Sequence, residues 1–209
     1  MKRKLYIFPM GGNGIEALDC LDEDRFEFRG FIDDNKAGLQ GPNGTLVLTR
    51  SIINDEPDAV ILAVPGSPSG FLKRKDIIAS LGIPDERYAS VIHPYARIGK
   101  NVHVGKNCLI MAGVVLTSNA WIGDHVCILP NTVIHHDVKI EDHTLIGSNV
   151  AIAGNTMIGH NCYIGSGTNI INNVKVGAQT LIGLGSNVIR DVPPLSQVAG
   201  NPARQINKK

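Results

Sequence analysis

The chain of 209 residues carries 20 basic and 19 acidic side chains, and 43% of its residues are hydrophobic. These values suit a soluble globular protein with one large or two modest domains. The balanced charge gives no electrostatic reason to expect nucleic acid or an anionic membrane as a partner. The apolar stretch after the basic residues 2–4 is too short for a signal peptide, and no run is long enough to span a membrane. A cytoplasmic protein without membrane insertion is therefore expected.

Residues 1–88 alternate short apolar runs with helical patterns, which predicts a small α/β domain of Rossmann-like type with a parallel sheet. The helix nearer the end of this segment has a basic first half, which includes Arg74. Strands are expected at residues 5–8, 26–32 and 59–64, a glycine-rich turn at 9–14, and helices at 15–21 and 71–81.

The predicted strand ends of this domain carry residues suited to a ligand-binding rim. The first strand leads into the glycine-rich turn, the second ends in Asp33 and Asp34, and the third is followed by Pro65 and Gly66. Because ligands of parallel sheets bind beyond the carboxyl ends of the strands, these residues should converge. The turn departs from the dinucleotide fingerprint and the domain is short, which favours a mononucleotide. A tight turn next to two solvated aspartates is the alternative.

From Ile92 to Val188 an aliphatic residue recurs at every sixth position without exception. The residue four places later is nearly always small, and glycine often follows the aliphatic residue directly. Neither a helix nor a plain strand has this period, whereas a triangular β-helix does. Three hexapeptides would form one 18-residue coil with the aliphatic side chains inside, giving about five coils. The glycines are expected to supply turn conformations that a β-carbon would penalise.

The cysteines and histidines predict no metal site. The four cysteines have neither metal-ligand spacing nor a disulfide-dense pattern, so they are expected to be reduced packing residues. The segment His135-His136-Asp137 is the exception among the histidines, because it places two imidazoles and a carboxylate at one corner. An imidazole can accept a proton near neutral pH, and an adjacent carboxylate can fix its tautomer. An exposed polar corner without chemistry is the alternative interpretation.

Several segments together resemble one family, the left-handed β-helix sugar acetyltransferases. This family is typified by the bacillosamine-pathway and perosamine N-acetyltransferases and the sialic acid O-acetyltransferases. The resemblance covers essentially the whole chain. The segments that carry it are the hexapeptide repeat, the Ile-His-His-Asp sequence at 134–137, Ala-Gly-Asn at 153–155, the tail at 198–204, and the N-terminal motifs at 11–14, 31–34 and 63–66.

The resemblance implies a fold, an assembly and a set of site residues. Residues 89–209 would form a left-handed parallel β-helix of hexapeptide repeats that assembles as a homotrimer, with acetyl-CoA as co-substrate between neighbouring subunits. His136 would accept the proton that the sugar amine loses, and Asp137 would hold the imidazole. The acetyl-CoA groove would be lined by Gly154, Gly165 and Ser166. The nucleotide-linked sugar would be bound by Gly11, Gly12, Asn13, Asp33, Asp34 and Gly66.

Four positions depart from the family pattern. They are Pro9, Asn13 and Pro65 in the N-terminal loops and Leu145 in the repeat, where the family has a second histidine near the thioester. The departures leave open whether the nucleotide is UDP, dTDP or GDP.

The leading interpretation is acetyl-CoA-dependent N-acetylation of a nucleotide-linked 4-amino-4,6-dideoxy sugar in bacterial glycan (polysaccharide) biosynthesis. The alternatives are O-acetylation of a sugar of the sialic acid type, and a non-catalytic hexapeptide-repeat scaffold.

Overall fold

A four-stranded parallel sheet forms the N-terminal part of the computed structural model, which describes residues 2–206. The strands are β1 (Arg3–Phe8), β2 (Phe26–Ile32), β3 (Val47–Leu48) and β4 (Val60–Ala63). Their order across the sheet is β3-β2-β1-β4, and the predicted parallel pairing is confirmed. The last four residues of β1 and all of β4 are buried, as expected when both faces of a parallel sheet are covered.

Three short α-helices accompany this sheet. They are α1 (Gly12–Glu16), α2 (Ile52–Asp55) and α3 (Arg74–Ala79). Turns of 3-10 helix occupy Ala17–Cys20, Pro42–Gly44, Phe71–Lys73 and Asp85–Arg87.

The first helix begins earlier than the sequence pattern predicted. Residues 12–14 were expected in the turn, but they form the first turn of α1. The packing of Gly14 explains the difference, because a β-carbon there would lie 2.3 Å from the carbonyl oxygen of Pro9. Glycine thus allows the helix to start directly against the end of β1. Strand β3 and helix α2 were not predicted, since they are too short to produce a periodic pattern.

Three sheets of short strands form a triangular β-helix after this unit, and their pairing is parallel except for the last strand, Arg204–Gln205, which is antiparallel. Up to Val188 the paired strands are 18 residues apart, as in Trp121↔Lys139, so the predicted 18-residue coil is confirmed. Face 1 consists of Val91–Ile92, Leu109–Ile110, Cys127–Ile128, Leu145–Ile146, Tyr163–Ile164, Leu181–Ile182, Gln197–Ala199 and Arg204–Gln205. Face 2 consists of Arg97–Ile98, Val115–Leu116, Val133–Ile134, Ala151–Ile152, Asn169–Ile170 and Asn187–Val188. Face 3 consists of His103–Val104, Trp121–Ile122, Lys139–Ile140, Met157–Ile158 and Lys175–Val176.

The interior of the prism is filled by the aliphatic residues of the six-residue repeat. From Ile110 onward they are almost completely buried, and the small residues four places later pack with them, as predicted. Threonines at the small positions also join successive coils: the Thr132 hydroxyl donates to the carbonyl oxygen of Gly147 over 2.7 Å and accepts from the Val150 amide over 3.1 Å. The four cysteines are free and buried, as expected.

The glycines of the repeat are required for a different reason from the one predicted. Those that directly follow the aliphatic residue do not have positive φ. A β-carbon on Gly147 would instead lie 2.5 Å from the backbone nitrogen of Ser166, so these glycines permit the close approach of the next coil. Left-handed backbone occurs two residues later, at a position where asparagine is common, as at Asn119 with φ of 62°.

The N-terminal sheet packs on face 1 of the β-helix. Leu5 and Leu62 belong to the same buried cluster as Leu109, Cys127 and Leu145 on that face. No helix in residues 2–206 is long and apolar enough to cross a membrane.

Candidate active site

His136 and Asp137 lie at the corner between faces 2 and 3, directly after the strand Val133–Ile134. The His136 Nδ1 atom is 2.8 Å from Asp137 Oδ2, and 57% of the His136 side chain is exposed. With Nδ1–H donating to the carboxylate, Nε2 carries the free lone pair. The imidazole can therefore accept a proton from a group that approaches from the solvent side.

The carboxylate beside this histidine is held in its charged form. The hydrogen bond from His136 and, after it, one from Asn119 lower the pKa of Asp137. The second bond joins Asn119 Nδ2 to Asp137 Oδ1 over 3.0 Å. Asp137 is thus anionic at neutral pH and favours the tautomer of His136 that is protonated on Nδ1.

Gly154 lies beside the imidazole, one coil further along. A β-carbon on Gly154 would be 2.5 Å from Cε1 and 2.6 Å from Nε2 of His136. The Asn155 amide also donates to the carbonyl oxygen of His136 over 3.1 Å. The structure therefore brings one of the residues predicted to line an acetyl-CoA groove next to the predicted base.

Gly165 and Ser166 occupy a different corner, between faces 1 and 2. The Ser166 hydroxyl accepts from the Ser148 amide over 3.1 Å, and a β-carbon on Gly165 would lie 2.6 Å from the nitrogen of Leu184. Both residues thus permit close stacking of coils. Within one chain the structure does not place them with His136.

Asn13 and Gly66 lie together at the rim of the N-terminal sheet. They line a cavity of about 150 Å³ whose other wall is part of the β-helix and includes Leu129, Leu145 and Tyr163. Leu145 packs directly on Gly66: a β-carbon on Gly66 would lie 2.5 Å from Cδ1 of Leu145. Leu145, which departs from the family pattern, therefore gives this cavity an apolar wall.

Asp33 lies near the glycine-rich loop, whereas the Asp34 carboxylate is engaged elsewhere. Lys36 links the loop to Asp33, because its Nζ bonds the carbonyl oxygen of Met10 and lies 3.9 Å from Asp33 Oδ2. Asp34 Oδ1 accepts from the Arg50 amide over 2.8 Å, and its Oδ2 pairs with Arg50 Nε over 2.5 Å. These contacts, the amide bond first, lower the pKa of Asp34.

The two remaining loop glycines lie close to the end of β1. The Gly11 amide donates to the carbonyl oxygen of Pro9 over 2.9 Å, and Gly12 is the exposed first residue of α1. Both therefore belong to the same rim as Asn13.

The rim cavity and His136 lie on opposite sides of the prism. The cavity is bounded by face 1, whereas His136 projects from the corner between faces 2 and 3, the one edge that face 1 does not share. The structure therefore does not unite the two groups of predicted site residues within one chain.

Sequence reasoning missed a polar cluster between the sheet and the corner of faces 3 and 1. Arg74, which the sequence places in the basic first half of a helix, is fully buried and donates to the carbonyl oxygens of Pro65 and His125. Asn107 bonds both the amide and the carbonyl of Ala63, over 2.7 and 2.8 Å. The recurrence of polar residues at the left-handed position of successive coils is the signal that could have indicated this cluster.

Two histidines in this cluster stack on each other. The rings of His125 and His143 are 4.5 Å apart and nearly parallel. Burial lowers the pKa of His143 to about 3, with the charges of His125 and Arg74 acting in the same direction. Within residues 2–206, no group of three or more His, Cys, Asp or Glu side chains is arranged to hold a metal ion.

Comparisons with known proteins identify the repeat and the fold. The bacterial transferase hexapeptide model (six repeats) matches residues 119–154, and the model for the hexapeptide repeat of succinyl-transferase matches residues 95–128. A search of curated protein sequences gives no match.

Several solved structures are similar over the full length. A mutant perosamine N-acetyltransferase from Caulobacter crescentus, in complex with CoA and GDP-perosamine, has a TM-score of 0.88 and 22% identity, covering 100% of this chain and 98% of that one. The acetyltransferase domain of PglB from Neisseria gonorrhoeae FA1090, in complex with acetyl coenzyme A, has a TM-score of 0.85 and 26% identity, with coverage of 99% and 100%. WeeI from Acinetobacter baumannii AYE has a TM-score of 0.71 and 22% identity, with coverage of 99% and 100%. The predicted resemblance to hexapeptide-repeat sugar acetyltransferases is confirmed.

Proposed function

We propose that this protein transfers the acetyl group of acetyl-CoA to the amino group of a nucleotide-linked 4-amino-4,6-dideoxy sugar. The observation that carries the proposal is the pair of His136 and Asp137 at a β-helix corner, with an exposed imidazole and Gly154 beside the ring. The similar structures with bound CoA, acetyl-CoA or GDP-perosamine support the choice of substrates.

The chemistry requires one base and correct positioning. The sugar nitrogen attacks the thioester carbonyl carbon, His136 Nε2 takes the proton that the nitrogen loses, and the carbon–sulfur bond breaks. The proton then passes from His136 to the departing sulfur, so the enzyme returns to its starting state. Asp137 stabilises the imidazolium that exists between these two steps, because its negatively charged carboxylate is hydrogen-bonded to the other ring nitrogen, Nδ1.

The chain is proposed to act through two domains. Residues 1–88 form a Rossmann-like domain for the nucleotide sugar, supported by the sheet order β3-β2-β1-β4, which matches half of a dinucleotide-binding fold. Residues 89–209 form the left-handed β-helix that binds acetyl-CoA. The positions of Asn13 and Gly66 in the rim cavity, and of Asp33 beside the loop, favour this side of the sheet for the sugar nucleotide. Gly11 and Gly12 lie at the same rim and complete this proposed subsite.

Asp34 has a different part in this proposal. Its carboxylate is engaged by Arg50, so it shapes the subsite by holding the chain after β3.

A homotrimer is proposed because one chain separates the two halves of the site. His136 projects from the edge opposite face 1, while the rim cavity is bounded by face 1. A closed three-fold assembly can bring the His136 corner of one subunit to the rim of the next. It can also bring Gly165 and Ser166 of one subunit into the same acetyl-CoA groove as Gly154 of another. A cytoplasmic location and a role in glycan biosynthesis follow from the proposed substrates.

Transfer to a sugar hydroxyl is the second candidate. A hydroxyl is a weaker nucleophile than an amine and depends more on a general base, and the Nε2 lone pair of His136 is equally available to it. A non-catalytic scaffold is disfavoured, because it would have no use for a carboxylate-oriented imidazole beside a glycine.

Thiol release from acetyl-CoA tests the proposal. The panel is UDP-, dTDP- and GDP-linked 4-amino-4,6-dideoxy sugars, with free sialic acid as the control for O-acetylation. Turnover on an aminated nucleotide sugar is the expected result and identifies the nucleotide. Activity on sialic acid alone would show that the acceptor group is a hydroxyl and not an amine. If thiol were released with none of the acceptors, the proposal would be overturned.

A further inference from the structure

The corner that carries His136 holds a column of side chains at the left-handed backbone position. Asparagine and aspartate tolerate positive φ better than most residues, which explains their use here. Among the described residues with left-handed backbone at this corner, Asp137 alone is a carboxylate. The members and their φ values are Asn101 (56°), Asn119 (62°), Asp137 (58°), Asn155 (58°) and Asn173 (63°).

Hydrogen bonds connect the first three members in one direction. Asn101 Nδ2 donates to Asn119 Oδ1 over 3.3 Å, and Asn119 Nδ2 donates to Asp137 Oδ1 over 3.0 Å. A side-chain amide has one oxygen and one NH₂ group, so the bond from Asn101 leaves the NH₂ group of Asn119 facing the carboxylate. The other oxygen of Asp137 is then available to His136, 2.8 Å away.

We propose that Asn119 is a positioning residue that orients the Asp137 carboxylate toward His136. The inference rests on the proposed acetyl transfer, in which His136 is the base. Asp137 is about half exposed, so a single bond to His136 would leave its carboxylate free to rotate. The second, charge-assisted bond from Asn119 removes this freedom and keeps the carboxylate aligned with Nδ1–H, so that the lone pair of the neutral imidazole is on Nε2.

The test compares Asn119→Gly with Asn173→Gly. Glycine adopts positive φ without strain, so both variants keep the backbone and lose only the amide side chain. Asn173 lies two coils beyond Asp137 in the same column and is the matched control. We expect Asn119→Gly to lower kcat by about 10-fold, the rate equivalent of one charge-assisted hydrogen bond, with KM unchanged. The control should keep the wild-type kcat.

A second readout does not need turnover. The pKa of the Asp137 carboxyl, followed by ¹³C NMR with Asp137→Asn as the assignment control, should rise in Asn119→Gly and remain unchanged in Asn173→Gly. It should also rise in Asn119→Asp, which keeps the side-chain shape but places a second carboxylate beside Asp137.

Two results would overturn the inference: an unchanged kcat and Asp137 pKa in Asn119→Gly, or an equal loss of kcat in the Asn173 control. If the wild-type protein released no thiol, the proposed function would fail, and the NMR comparison alone would decide whether Asn119 holds Asp137.

Discussion

The imidazole of His136 rests on Gly154, with 2.5 Å between its Cε1 atom and the point where a β-carbon of residue 154 would stand. Gly154 does not have positive φ, so the backbone would accept alanine and the ring would have to move. We therefore expect Gly154→Ala to lower kcat by about 10²-fold, the cost of misplacing a catalytic group by about 1 Å.

Steady-state kinetics of Gly154→Ala, His136→Ala and the double variant check this prediction. Because the substitution acts through His136, the double variant should be no slower than His136→Ala alone. A Gly154→Ala protein with full kcat would show that the ring position is unimportant.

Refolding two variants together tests whether neighbouring subunits of the proposed trimer share a site. His136→Ala removes the base, and Asn13→Trp fills the rim cavity on face 1. If the base of one subunit serves the rim of the next, subunits of the two variants that are each inactive alone should recover activity when refolded together. Random mixing should restore about a quarter of the wild-type sites in a closed trimer. A mixture that stayed inactive would argue for sites contained within one subunit.

Arg74 should matter for stability more than any exposed basic residue near it. It is fully buried and bonds carbonyl oxygens on both the N-terminal sheet and the β-helix. Arg74→Ala would leave these oxygens without a donor, so we expect the free energy of unfolding to fall by about 3 kcal/mol. Urea denaturation of both proteins at one fixed protein concentration measures this difference in the free energy of unfolding. The exposed neighbour Lys75, changed to alanine, is the control, and an equal effect there would contradict the assignment.

Some of this architecture could be predicted from sequence because one physical constraint repeats. The inward position of each hexapeptide is filled by an aliphatic side chain, so the spacing of these residues from Ile92 to Val188 indicates the coil length and the inward positions. The same regularity placed His136 and Asp137 at a corner. Their mutual contact followed from adjacency in the chain, and the structure confirms it.

Other features depend on contacts between coils or between the two parts of the chain, which spacing does not record. Gly147 is needed for the approach of Ser166, 19 residues later, and not for its own φ. Arg74 follows two exposed residues, and the sequence does not show that the corner of faces 3 and 1 covers it. Asn119 acts on Asp137 from the preceding coil. Gly147 and Asn119 become recognisable only when residues about 18 apart are considered as neighbours, whereas the His125 carbonyl that Arg74 bonds is 51 residues away.

The stacked, half-buried side chains of His125 and His143 predict loss of stability in acid. Burial lowers the pKa of His143 from 6.5 to about 3, so between these values the unfolded chain binds a proton that the folded chain does not. The contribution of His143 to the free energy of unfolding is therefore complete above pH 6.5 and decreases as the pH falls toward 3. His143→Asn should reduce this decrease, because an asparagine side chain binds no proton in this pH range. The backbone should accept the change, since asparagine already occupies the same left-handed position at Asn107 and Asn161.

Thermal melts at one pH above 6.5 and one pH below it measure the effect as a difference in melting temperature. His160→Asn, at an exposed position in the next coil, serves as the control. If His143→Asn lost as much stability on acidification as the wild-type protein and the control, the stacked histidine pair would not be the cause.

The most direct test of the account is the kcat of His136→Ala for the aminated nucleotide sugar that the wild-type protein acetylates best. The free Nε2 of His136, with Asp137 on the opposite nitrogen, makes this residue the only proposed acceptor of the amine proton. We predict that kcat falls by about 10²- to 10⁴-fold, the range for loss of one general base. Thiol release by His136→Ala at the wild-type rate would contradict the mechanism proposed for this site.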